Sequence, residues 1–174
     1  MLYKLSDVLA YDDKVIQIKA PLEMDSFDSN VESFDIVDKS DVDLLITNVG
    51  SKKITIEAKT DLSVLIPCDR CLEPVKTKFY IDVIKDVNLG LSEEDRVKEL
   101  DENDYIIGYD LDVDKLIYGE ILVNWPMKIL CENDCKGICN RCGANLNLGE
   151  CGCDRAELDP RMAAIRDIFN NSKQ

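Results

Sequence analysis

Eight cysteines in four close pairs, in a chain with no histidine, constrain this sequence more than any other feature. The pairs are Cys68/Cys71 (C-x2-C), Cys131/Cys135 (C-x3-C), Cys139/Cys142 (C-x2-C) and Cys151/Cys153 (C-x-C). Short spacings let one turn offer two thiolates to the same ion, and tetrahedral zinc takes four such ligands. Four pairs therefore make two all-thiolate sites with no cysteine left over. Without histidine there is no Ser-His-Asp or Cys-His nucleophile pair, no histidine base and no imidazole ligand. Any metal must be held by thiolates and carboxylates.

Three pairings of the pairs into sites are open, and loop length favours one. Only eight residues, 143 to 150, separate Cys142 from Cys151, so Cys139, Cys142, Cys151 and Cys153 close easily into a compact ribbon. Cys68, Cys71, Cys131 and Cys135 remain for a second site, which would clip a distant hairpin to the tail. In Cys139-Asn140-Arg141-Cys142-Gly143 the glycine can take the left-handed conformation after a knuckle turn. Rival uses of the thiols are a catalytic zinc with an open position, an iron–sulfur cluster on Cys131, Cys135, Cys139 and Cys142, and a thioredoxin-like Cys68/Cys71 dithiol. Disulfides are a fourth. Four-cysteine sites leave no open position, and the Cys68/Cys71 pair lies between strands rather than at a βα junction, which favours structural zinc, two Zn²⁺ per chain.

The hydrophobic pattern supplies the rest of the fold. Ile54, Ile56, Ala58, Leu62, Val64 and Ile66 fall on even positions, and Val75, Phe79, Ile81, Val83 and Val87 on odd ones. Both read as half-buried strands. Between them Pro67 to Pro74 forms a hairpin tip carrying Cys68 and Cys71, its prolines expected to stop the pairing. Val42, Leu44 and Ile46 mark a strand that turns at Gly50-Ser51, and Val15 to Ala20 and Glu32 to Val37 mark two weaker ones. A helix is expected from a cap at Asp112, with Val113, Leu116, Ile117, Ile121 and Leu122 on its apolar side, ending before Pro126. Asp159-Pro160 signals a second, with Met162, Ile165, Ile168 and Phe169 as its stripe. The predicted fold is α+β: an antiparallel β-sheet with a few helices and a cysteine-rich, zinc-ribbon-like C-terminal tail. Residues 1–125 form a β-rich domain ending in a helix. Residues 126–174 form the metal-binding tail, clipped to the 67–74 tip.

Charge narrows the partners. The 174 residues carry 35 acids and 21 bases, a net −14, which argues against a basic clamp on nucleic acid. Residues 91 to 120 hold eleven acids and three bases, and 88 to 104 read as a solvated loop. The belt from Glu93 to Asp114 either engages a basic partner or merely keeps the chain soluble. Residues 121 to 174 balance seven bases with seven acids, so Lys136, Arg141, Arg155, Arg161 and Arg166 can still touch phosphate. Deprotonating eight thiols adds −8 and two Zn²⁺ add +4, taking the net charge from −14 to −18. Arg70, Lys128, Lys136 and Arg141 are placed to offset that. The opening residues meet Asp7 before any apolar run, so no secretory leader is expected. No stretch approaches the ~18 apolar residues of a membrane span. A reducing cytoplasm is the expected location.

The tail runs Cys131, Cys135, Cys139, Cys142, Gly143, Ala144, Asn145, Leu146, Asn147, Cys151, Cys153, then Asp159, Pro160, Arg161 and Met162. Together with Cys68, Asp69, Arg70, Cys71 and Leu72, it resembles the YceD family of bacterial and plastid proteins linked to 23S ribosomal RNA accumulation. The resemblance covers the hairpin, the helix leading to Trp125-Pro126-Met127, and the tail. Asn140 stands where the family's knuckle commonly has proline, and so does Ile129 ahead of Cys131; neither departure removes a cysteine. The resemblance implies a non-enzymatic role in supporting large-subunit ribosomal RNA and ribosome biogenesis. Its partners would be assembly components, either a basic ribosomal protein or 23S rRNA, with no membrane and no small-molecule substrate. It carries over no catalytic residue. The contrasting reading is a thiol- or metal-dependent enzyme, an oxidoreductase or nuclease, in RNA processing.

Overall fold

A computed structural model describes residues 2–29, 32–90 and 104–153. The helix expected at Asp159-Pro160, most of the acidic belt, and Arg155, Arg161 and Arg166 lie outside the described residues. So does most of the 88–104 loop.

The chain is organised around one long hairpin. Strand β6 (Lys53–Pro67) pairs over its whole length with β7 (Pro74–Asn88), from Lys53↔Asn88 to Pro67↔Pro74. Even positions of β6 face inward, with Ile56, Ala58 and Val64 fully buried. Inward positions of β7 include Phe79, Ile81 and Val87, while Val75 and Val83 are only partly covered. The ladder stops at the prolines as expected. They form its last pair, because a strand's terminal residue need not donate to the partner.

The other edge of β6 is divided between two strands. Its first half pairs with β5 (Val42–Gly50), which in turn pairs with β2 (Val15–Ala20). Its second half pairs with β4 (Ser33–Lys39), from Lys39↔Leu62 to Ile36↔Val64 across an irregularity, and β4 pairs with β3 (Ser26–Asp28). Both joints are made by the backbone. Gly50, Ser51 and Lys52 turn β5 into β6 with φ of +86°, +53° and +60°. Ser40 N–H donates to the Asp61 carbonyl at 3.0 Å where β4 hands over to β5. On the wet face, register aligns a rung of alternating charge: Lys19 meets Asp43 at 3.3 Å, Asp43 sits across from Lys59, and Lys59 meets Asp82 at 3.0 Å. Such exposed pairs add little stability but favour this register.

The helix expected after Asp112 is α2 (Val113–Val123), preceded in the chain by the short α1 (Ser6–Leu9). Asp112 accepts the Lys115 amide at 3.3 Å, capping α2. Val113, Leu116, Ile117 and Ile121 are buried. Leu122 is not: it is 48% exposed, and Glu120 takes the inward position instead, paired with Lys85 at 2.7 Å. The 3.6-residue turn places 120 and 121, rather than 122, over the sheet. Beyond the helix, Trp125 stacks on Phe27 at 5.1 Å and lies 5.3 Å from Phe34 and 5.9 Å from Phe79, tying β3, β4 and β7 together.

Several elements carry no pattern of their own. β1 (Leu2–Lys4), β8 (Ile106–Ile107) and β9 (Asp110–Asp112) form a three-stranded sheet in the order β1-β9-β8. Leu89, expected in a solvated loop, is buried. Among the described residues, no helix is long and apolar enough to cross a membrane.

The burial contrast on the central hairpin yields a direct check. Ile56→Ala should lower stability by about 2–5 kcal/mol through cavity formation. Tyr80→Ala, on the exposed side of β7, should change it by less than about 0.5 kcal/mol. Urea titration of the two variants measures both. Equal effects would contradict the inward assignment of the even positions.

Candidate metal centres

Two groups of four cysteines converge. The sulfurs of Cys68, Cys71, Cys131 and Cys135 lie within 4.8 Å of one another, and so do those of Cys139, Cys142, Cys151 and Cys153. This is the grouping that loop length favours in the sequence. Either group could hold a metal ion.

Both groups are built on the same local turn. In the first, the Leu72 amide donates to the Cys68 carbonyl at 2.9 Å and the Cys68 amide to the Glu73 carbonyl at 2.8 Å. In the second, Gly143 donates to Cys139 and Cys139 to Ala144, each at 2.8 Å. The residue after the second cysteine must be left-handed in this turn. Gly143 adopts φ +73° without strain, whereas Leu72 is held at +63°, at roughly 1–2 kcal/mol for an L-residue.

The hairpin tip is sutured to the tail by more than sulfur. Asp69 uses its amide to reach the Ile129 carbonyl at 2.9 Å and its carboxylate to accept the Ile129 amide at 2.7 Å. The Arg70 guanidinium donates to the Cys135 carbonyl at 2.7 Å, and the Arg70 carbonyl accepts from Ile138 at 3.0 Å. Arg70 thus acts through the backbone of Cys135. One side chain that reaches a sulfur was missed by the sequence reading: the Asn147 amide lies 3.2 Å from Cys135 Sγ, while its oxygen accepts the Lys136 amide at 2.7 Å. Asn147 belongs to the loop between Cys142 and Cys151, so the second group's loop touches the first group's ligand set. A lone asparagine in a polar loop gives no periodic or spacing signal.

Electrostatics within each group divides the thiols. Burial pushes the Cys68 thiol up, but the amides of Cys71, Arg70 and Cys131 outweigh it and bring the thiol down to about 6. The amides of Arg141 and Cys142, together with the Cys151 thiol, bring Cys139 to about 6. The Asn147 amide helps hold Cys135 below the usual thiol range. Neighbouring thiols instead raise Cys131 to about 12, mainly through Cys71 and Cys135, and Cys153 to about 12, through Cys142 and Cys151. Crowded thiols cannot all ionise side by side. A bound divalent cation removes that conflict. The first group is the more enclosed: Cys68, Cys71 and Cys135 are buried and Cys131 exposed, whereas in the second only Cys139 is buried.

Glycines at the two turns separate backbone freedom from packing. A Cβ on Gly137 (φ +77°) would sit 3.0 Å from the Arg70 carbonyl oxygen, whereas one on Gly143 (φ +73°) would meet nothing within 4 Å. Gly143→Ala should therefore lose only the roughly 1–2 kcal/mol of the left-handed backbone. Gly137→Ala should lose more and loosen the tail from the hairpin. Thermal melting with hydrogen exchange at the Ile138 amide tests this, and equal losses would contradict the close approach at Arg70.

Comparison with known proteins follows the same residues. Residues 56–169 match the family model described as large ribosomal RNA subunit accumulation protein YceD. An uncharacterized protein of Mycobacterium tuberculosis is 26% identical over 129 residues, which is 74% of this chain and 61% of the relative. A counterpart in Mycobacterium bovis shows the same identity and coverage. The chain thus spans about three fifths of the length of these curated relatives. A chloroplastic protein of Arabidopsis thaliana, named large ribosomal RNA subunit accumulation protein YCED homolog 1, is 31% identical over 65 residues, 37% of this chain and 20% of the relative. No solved structure matches the chain. The matched stretch runs from the core of β6 through the hairpin tip and both cysteine groups, and on that extent the chain belongs to the YceD family.

Proposed function

We propose that this protein is a non-enzymatic factor that supports 23S ribosomal RNA accumulation and large ribosomal subunit biogenesis in the cytoplasm. The observation that carries this reading is the match over residues 56–169 to a family described by large ribosomal RNA subunit accumulation. The same words name the Arabidopsis relative. The partner is a large-subunit assembly component, and between a basic ribosomal protein and 23S rRNA, the net charge of −14 favours the protein.

The eight cysteines are proposed to hold two Zn²⁺, one on Cys68, Cys71, Cys131 and Cys135 and one on Cys139, Cys142, Cys151 and Cys153. Cys68 Sγ lies 3.8 Å from Cys135 Sγ, and Cys71 Sγ lies 3.5 Å from Cys131 Sγ. Those lengths suit the edges of a tetrahedron around one ion with metal–sulfur bonds of about 2.3 Å. An iron–sulfur cluster places several metals and sulfides between its thiolates and spreads them wider. When bound, zinc at a site of this kind supplies folding free energy, about 10–16 kcal/mol of apparent binding in finger peptides. In this reading a β-rich body, residues 1–125, carries the tail, 126–174, clipped to its hairpin tip.

Burial of Cys68 and Cys71 speaks against the oxidoreductase reading, because thiol exchange needs an accessible sulfur. Metal analysis should find two zinc ions per chain, and one after Cys68→Ser with Cys71→Ser. Iron, or a single ion in the wild type, would contradict the assignment. Depletion of the protein should reduce 23S rRNA and large subunits. Normal large subunits would reject the assembly role.

A further inference from the structure

Beside the hairpin tip two strands part before their ladder should end. β4 pairs with β6 as far as Ile36↔Val64. Carried on, the same register would set Asp35 opposite Leu65, Phe34 opposite Ile66 and Ser33 opposite Pro67. None of these three pairs forms: from Asp35 backwards, β4 is held only by β3 on its far side. Among the described residues, the facing backbone edges of Ser33–Asp35 and Leu65–Pro67 have no strand partner. Beside them lies an open groove of about 430 Å³, lined by residues of both edges together with Leu72 and Pro74.

Two further observations at this groove point to an occupant. Leu72 is a large apolar side chain that is 63% exposed on a left-handed backbone. At the equivalent turn position the second cysteine group has glycine. A strained leucine exposed to water is explained by neither packing nor propensity, and strain of this kind collects at binding sites. The groove's charged lining residues are both acidic, Glu32 and Asp35, and both are exposed.

We infer that the groove beside β4 and β6 binds an extended, basic segment of a partner protein by strand addition. The segment's backbone pairs with the open Leu65–Pro67 edge, an aliphatic side chain rests on Leu72 and Pro74, and flanking lysines or arginines face Glu32 and Asp35. Main-chain pairing supplies affinity in this mode, and the alternate side chains supply selectivity. The inference deepens the assembly-factor reading and rests on it for the partner's class, a basic protein.

The test uses the full-length, metal-loaded protein and a fluorescein-labelled peptide with a central Leu-Leu pair flanked by lysines. Anisotropy should show saturable binding that weakens about tenfold or more in Leu72→Gly, since the variant removes the apolar surface on which the segment's side chain rests. Leu72→Gly keeps the left-handed turn without strain, so it should retain both metals and melt no lower than the wild type. Glu32→Lys with Asp35→Lys, on the exposed rim, gives a second measure should Leu72→Gly fold poorly, and should weaken binding as much. N-methylation of alternate peptide amides should also weaken it. The inference is overturned by no saturable binding, by equal binding to Leu72→Gly, by equal binding of a peptide with glutamates for lysines, or by a single-stranded RNA oligonucleotide binding there in the peptide's place. In depleted cells, full rescue of 23S rRNA by Leu72→Gly would remove the groove and leave the assembly role standing. Normal 23S rRNA on depletion would remove the assembly role itself.

Discussion

The fold's far end depends on four sulfurs, drawn from segments about sixty residues apart, being brought within 4.8 Å of one another. Cys68 and Cys71 sit at the tip of a hairpin whose strands are paired along their whole length. Cys131 and Cys135 sit on a stretch with little regular structure. Sulfur convergence, the double contact of Asp69 with Ile129 and the contacts of Arg70 with Cys135 and Ile138 all act at this joint. Without a cation the thiols oppose one another, which shows as Cys131 pushed up to about 12 by Cys71 and Cys135. The same geometry that makes the bare group unfavourable makes it a good cage for one divalent ion.

The long hairpin and the cysteine grouping were legible in the sequence, for different reasons. Alternation at Ile54 to Ile66 and Val75 to Val87 reports a sheet buried on one face, a strictly local property. The grouping followed from chain length, since the loop from Cys142 to Cys151 closes cheaply. What stayed hidden depends on contacts between distant segments. Leu2–Lys4 becomes a strand only because Asp110–Asp112 lies beside it. Leu122 looked apolar and inward, yet Lys85 on β7 pairs with Glu120 in that layer instead. Asn147 touches Cys135 across two turns, and Leu72 reveals its strain only through a backbone angle.

The same end of the molecule gathers the features that remain unspent by folding. The tip, the exposed Leu72 and the open edge of β6 lie within a few residues of Cys68 and Cys71, and the Asn147 contact joins the loop of the second cysteine group to Cys135 of the first. A metal ion held as proposed on Cys68, Cys71, Cys131 and Cys135 would fix the tip, and with it the position of Leu72 and the floor of the groove. In the proposed reading the thiolates hold a turn, and the turn presents a surface to the partner. Acidic groups at the groove then suit a basic protein segment better than a phosphate backbone.

The most direct measurement is hydrogen exchange before and after removal of metal by a chelator, with atomic spectroscopy confirming that the protein is metal-free. If the thiolate groups are metal clips, the amides of Ile129, Cys135, Ile138 and Cys139 lose protection when the metal leaves. Those in the middle of β6 and β7 keep theirs. Unchanged protection of the four tail amides in the metal-free protein would contradict the account.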